Sequence, residues 1–195
     1  MFRYYIFYKP FQVLSQFSRE GDKRTLSDYF SSLSKDIYPV GRLDYDSEGL
    51  LLLTNDKGLN HQLLDPKYKH ERTYWVQVEG EITEEAIMNL SKGVHISVDG
   101  KKHFTAPAEV KVFVGAPEVP DRNPPIRFRK SIPTTWISLT LTEGKNRQVR
   151  KMTAAVGYPT LRLIRFRIGR INIGGIEPGS FRELRPEEKD LLLQK

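Results

Sequence analysis

Leu50-Leu51-Leu52-Leu53-Thr54 constrains the fold of this sequence more than any other stretch. It is a continuous apolar run, far too short to span a membrane and short enough to be a buried strand. Immediately before it, between Gly41 and Gly49, Arg42, Asp44, Asp46 and Glu48 place four ionisable side chains in seven positions. A charged loop held against the end of a buried strand is a common place for catalytic groups, because the scaffold fixes them and the loop exposes them. Two other readings compete. Asp44, Asp46, Glu48 and Gly49 match positions 1, 3, 5 and 6 of an EF-hand calcium loop, but position 12 is Asn55, where a bidentate Glu is needed. Positions 7 to 11 are the apolar run itself. A plain solvated turn would explain the polarity but not the packing of charges between two glycines.

Around this segment the pattern is mixed. Residues 3–8, 13–17 and 73–80 read as strands, with a turn forced at Lys9-Pro10. So do VHISV, EVKVFV and TWISLTLT further on, and 161–173 reads as one strand alternating Leu, Ile and Phe with Arg. Short helices are expected at 25–30 and 58–65. A clearer one spans 82–93, with Thr83 placed to cap it and Gly93 to end it. Further helices are expected at 146–157, closed by Gly157, and at 185–194, with Pro186 near the start and two Glu in the first turn. Residues 115–133 form a long Pro- and Arg-rich connection. Without regular βαβ units, this order predicts an α+β fold: a mixed, mostly antiparallel central sheet flanked by helices, in two lobes about a cleft.

Charge is distributed unevenly. Residues 1–100 carry 12 basic and 15 acidic side chains, and residues 101–195 carry 19 and 9, for a net +7 overall. Between Arg122 and Arg170 there are 12 basic residues and one acid, Glu143. Such a stripe suggests a polyanion partner. A solubilising surface is the alternative, but Phe128, Trp136, Tyr158 and Phe166 interleave the arginines, a combination suited to stacking on bases. The absence of cysteine excludes disulfides, thiolate catalysis and Cys-ligated metals. The four histidines fall at no metal-ligand spacing, and no dinucleotide or phosphate-cradling glycine motif occurs. With no signal-peptide pattern and no membrane span, a cytoplasmic protein is expected.

On the 146–157 helix, Arg147, Arg150 and Lys151 lie three and four apart and share a face. A solvated face would account for them equally well. Val149, Met152 and Val156 mark the buried side, however, which puts Arg150 at the boundary. Lys145 and Asn146 at the helix start are placed to contact phosphate. Tyr74, in Arg72-Thr73-Tyr74, would by itself be read as a core tyrosine.

Taken together, GRLDYDSEGLLLLTND (41–56) resembles the signature of the RsuA-type pseudouridine synthases. Other family marks follow in order: YKP (8–10), RTY (72–74), EGKNRQVRKM (143–152), LRLIRFRIG (161–169) and GIEPGSFREL (175–184). The likeness covers essentially the whole chain. The 120–136 connection is closest to a branch acting on large-subunit RNA that lacks the small S4 RNA-binding domain. One pseudouridine synthase catalytic domain over 1–195, without an S4 domain, is therefore expected. Gln12, where a Gly is common, and Tyr45, where an Arg is common, depart from the pattern at the rim of the implied site.

The resemblance implies that Asp44 is the nucleophile, that Tyr74 stacks on the uracil, and that Arg150 pairs with Asp44. It also implies that Leu163 packs against the target base and Arg42 fills the gap left by the flipped uridine. Lys9, Lys145, Asn146, Arg147, Lys151 and Arg165 are expected on the RNA-binding side. The reaction exchanges an N1–C1′ bond for a C5–C1′ bond within one nucleotide. It is redox neutral, so no cofactor and no metal are expected. The target base must leave its stack at a cost of roughly a few kcal/mol, which a stacking aromatic and a void-filling side chain offset. An attacking carboxylate must be ionised, and a guanidinium keeps its own charge in a desolvated site. The implied partner is ribosomal RNA, 23S by the branch, bound by a monomer.

Overall fold

The computed structural model describes residues 1–31, 33–126 and 131–193. Phe128 and three basic residues of the stripe, Arg127, Arg129 and Lys130, lie outside the described residues, and with them part of the Pro- and Arg-rich 115–133 connection. Two compact units emerge, Met1–His70 with Ile164–Lys195, and Glu71–Leu163. The chain is α+β and its sheet is mostly antiparallel.

The first unit begins with β1 (Tyr4–Lys9), β2 (Val13–Leu14), β3 (Arg24–Thr25), β4 (Tyr38–Pro39), β5 (Glu48–Thr54) and α1 (Lys57–Leu64). The second holds β6 (Arg72–Glu79), α2 (Glu84–Lys92), β7 (His95–Val98), β8 (Lys101–Phe104), β9 (Glu109–Val112), β10 (Thr134–Leu141) and α3 (Gln148–Ala155). The chain then runs through β11 (Thr160–Ile168), whose last five residues return to the first unit, and ends in β12 (Ile171–Asn172), β13 (Phe181–Glu183) and α4 (Pro186–Leu191).

In the first unit the strand order is β13-β1-β5-β11. The apolar run behaves as its composition demands, for every residue of β5 is buried. Antiparallel pairing sets Tyr5 opposite Leu53 and Phe7 opposite Leu51. These four side chains join Leu26, Phe30 and Ile37 in one core, where Phe7 and Phe30 meet edge to face with ring centroids 5.0 Å apart. Ile6, Tyr8, Leu50 and Leu52 are buried too, so both faces of the strand pair are covered. β5 and β11 run parallel, Ile164 beside Glu48 and Arg165 beside Gly49. Asp56 caps α1, its carboxylate accepting from Leu59 N at 3.0 Å.

In the second unit β6, β10 and β9 form an antiparallel run with α2 and α3 packed on its apolar face. Thr83 caps α2 and Gly93 closes it, as its sequence indicates. The core gathers Val76 and Val78 of β6, Leu90 of α2, Ile137 and Leu139 of β10, and Val149 and Met152 of α3.

Four expectations are corrected. Residues 13–17 contribute only the two-residue β2, because the chain bends from Ser15 to Ser18. The 25–30 helix is a single 3-10 turn, Leu26–Asp28. The expected strand over 161–173 breaks at Gly169-Arg170, where Gly169 takes φ +54°, and β12 folds back on β11. The expected 146–157 helix starts at Gln148, because Arg147 sits in the left-handed region with φ +53°. A strand that went unforeseen, β8, pairs with β7 across Asp99-Gly100, both at positive φ. Among the described residues no helix is long and apolar enough to cross a membrane.

Candidate active site

The GRLD segment of the first unit leaves β4 and turns at Gly41, whose φ of +68° suits glycine. Arg42 is exposed, Leu43 is buried and Asp44 is half-buried. The turn is held peptide by peptide. Leu43 N donates to Ser15 Oγ at 3.1 Å, and Ser15 Oγ donates to Leu43 O at 2.8 Å. Ser47 N donates to Asp44 O at 3.0 Å, and Gln12 N donates to Tyr45 O at 2.8 Å. Glu48 then opens β5, fully inside the fold.

Lys9 and Arg165, expected on the RNA side, are placed otherwise. Lys9 is 0 % exposed, and its ammonium donates to Pro10 O at 2.9 Å and Val13 O at 2.8 Å. Burial pulls its pKa down to about 7, and the carboxylates of Glu48, Asp46 and Asp44 oppose that fall. Arg165 is also buried, with Nε donating to Leu50 O at 2.7 Å. Both side chains therefore hold backbone carbonyls around the strand ends that carry the charged turn. Among the described residues no group of three or more His, Asp or Glu side chains is placed to hold a metal ion.

In the second unit Tyr74 lies on β6 opposite Leu139 of β10 and packs against the unit's core. Arg150 is half-buried on α3, and its guanidinium donates to Thr160 O at 3.4 Å. Leu163 belongs to the same core and is 6 % exposed. Lys145, Asn146 and Arg147 are exposed on the turn ahead of α3, and Lys151 is half-buried. The turn is built around Glu143. One of its oxygens accepts from Ala106 N at 2.8 Å and Gln148 Nε2 at 2.7 Å, and the other meets His103 Nε2 at 3.2 Å. Gln148 Oε1 in turn accepts from Lys145 N at 2.8 Å.

Sequence reasoning missed Gln12, Ser15, Glu143 and Gln148 as parts of these supports. For Gln148 a local signal existed, since a buried amide at the first helical position is close enough to reach back three residues. For Ser15 there was none.

Residues 3–155 match the family described as RNA pseudouridylate synthase. This chain belongs to that family, whose members are isomerases acting on uridine in RNA. At finer grain it is similar to ribosomal large subunit pseudouridine synthase E of Vibrio parahaemolyticus, 50 % identical over 179 residues, which cover 92 % of this chain and 72 % of that protein. The protein of that same name from Xanthomonas axonopodis pv. citri is 50 % identical over 172 residues, 87 % of each chain. A crystal structure of a pseudouridylate synthase superposes with a TM-score of 0.78 at 28 % identity, covering 98 % of this chain and 74 % of that one.

Proposed function

We propose that this protein converts one uridine of ribosomal RNA to pseudouridine, that the RNA is 23S, and that Asp44 is the nucleophile. The observation that carries the reading is the Asp44 turn, a half-buried carboxylate on a backbone tied at four consecutive peptides beside a fully buried strand. Pre-organisation of this kind is what a nucleophile needs when no cofactor does the positioning. The names of the relatives at about half identity support a large-subunit RNA as substrate.

In this reading the N1–C1′ bond of the target breaks, the detached uracil turns within its pocket, and C5 bonds to C1′; C5 gives up its proton and N1 takes one up, so the product is an isomer of the substrate. Tyr74 and Arg150 take the catalytic roles that the family pattern gives them. Arg42 is exposed, as a side chain entering a stack requires. Lys145, Asn146, Arg147 and Lys151 contact the phosphate backbone. The protein acts as a monomer in the cytoplasm.

The test uses RNA from a strain deleted for the gene, with pseudouridines mapped before and after treatment with purified protein. Asp44→Asn is expected to abolish formation of the missing pseudouridine while leaving RNA affinity within about threefold, since an interaction used only in the chemical step costs turnover and not binding. Turnover by the Asp44→Asn protein would overturn the assignment. A deletion strain with no missing 23S pseudouridine would overturn the choice of RNA.

A further inference from the structure

Ser15 lies 28 residues before Leu43 and resembles nothing catalytic in the sequence. In the fold it is 4 % exposed, and its one hydroxyl makes two hydrogen bonds to the same residue of the GRLD turn. As acceptor it takes the N–H of the peptide joining Arg42 to Leu43. As donor it gives its proton to the C=O of the peptide joining Leu43 to Asp44. These are the two peptides that lead into the candidate nucleophile. The two that lead out are held by Ser47 N on Asp44 O and Gln12 N on Tyr45 O. The segment from Gln12 to Ser15 is itself anchored, because the Lys9 ammonium donates to Val13 O and Val13-Leu14 pairs with Arg24-Thr25.

We propose that Ser15 is a positioning residue for Asp44: its hydroxyl grips both polar groups of Leu43 and so fixes where the carboxylate points. The inference rests on the reading of Asp44 as nucleophile. The physical argument is one of tolerance. A reacting group has to be held within about 0.5 Å of its productive place, and an error near 1 Å costs about a hundredfold in rate. Leu43 is buried, so water does not replace a lost serine at its N–H and C=O without the turn moving. Ser15 touches no reacting atom in this scheme and acts only through the Leu43 backbone.

The experiment compares Ser15→Ala, Ser15→Cys and Asp44→Asn with the unaltered protein, on the deletion-strain RNA, measuring kcat, KM and melting temperature. Ser15→Cys keeps a weak donor and a weak acceptor on a larger atom, whereas Ser15→Ala keeps neither. The expected order of kcat is Ser above Cys above Ala, with Ser15→Ala reduced by about tenfold or more and KM unchanged within about twofold. All variants should remain folded at the assay temperature. Wild-type kcat in Ser15→Ala, or a loss confined to KM, would overturn the positioning role. So would a loss that tracks only the fraction of unfolded protein. An inactive Asp44→Asn beside a fully active Ser15→Ala sinks the Ser15 inference alone, whereas an active Asp44→Asn sinks the reading beneath it.

Discussion

Gly49 sits where two backbones meet. Its φ is +108°, and a Cβ built there would lie 2.4 Å from Arg165 O and 2.7 Å from Arg165 N. Those are main-chain atoms of the adjoining strand, so no rotamer change relieves the overlap. Any side chain has to push β5 away from β11, at the point where the charged turn enters the strand. Gly49→Ala is expected to lower stability by about 3 kcal/mol or more, combining a strained φ with disrupted packing, as read from urea unfolding. An unchanged midpoint would mean that the two strands part without loss. Lys9 and Arg165 flank the same glycine from the two neighbouring strands. Lys and Arg are rarely found inside unless their N–H groups find acceptors, and here carbonyls of residues 10, 13 and 50 accept from them.

Among the elements, α4 is short and depends on its cap. Pro186 opens it, and Glu188 accepts from Arg185 N at 2.9 Å. The two oxygens of Glu188 also take both terminal nitrogens of Arg182 in β13, at 2.8 and 2.7 Å. The Arg182 guanidinium holds the Glu188 carboxyl at about 2, below its ordinary 4.5. A carboxylate lowered in the folded state contributes stability above its ordinary pKa and loses that contribution as pH falls toward 2. The pair is partly exposed, so its contribution is about 1 kcal/mol at most. The stability gap between the native protein and Glu188→Gln, measured by urea unfolding, should therefore shrink as pH drops from 5 to 2. A gap that does not change with pH would show that charge plays no part in docking α4.

For the molecule as a whole, the charge asymmetry is sorted by burial. Of the arginines along β11, Arg162 is buried and donates to Pro120 O at 2.8 Å, and Arg165 is buried on Leu50 O. Arg167 is half-buried, and Arg170, in the turn after the strand, is exposed. Arg42, Lys145, Arg147 and Arg170 are exposed, and exposed cations of this kind release counterions when they meet RNA phosphates. Affinity for the target RNA is expected to fall steeply from 50 to 200 mM salt. Lys145→Ala should reduce the slope of log affinity against log salt by about 1, with little preference for sequence. Substituting Arg162 should instead act through stability. Equal salt slopes for the native and Lys145→Ala proteins would remove that turn from the RNA-binding surface.

What the sequence determined alone was whatever depends on near neighbours. β5 and β6 follow from hydrophobic content and alternation, α2 from Thr83 and Gly93 at its ends, and the charged turn from the fixed spacing of Arg42, Asp44, Asp46, Glu48 and Gly49. Asp99-Gly100 was a local signal that the sequence reading passed over, and it marks the β7–β8 hairpin. Tertiary structure decided the rest. Phe181-Arg182-Glu183 is a strand because β1 offers it an edge, Lys9 and Arg165 are inside because distant carbonyls meet them, and Ser15 reaches Leu43 across 28 residues. A period in the sequence says which face a residue takes, but a hydrogen bond needs a partner, and the partner is supplied only when remote segments are packed together.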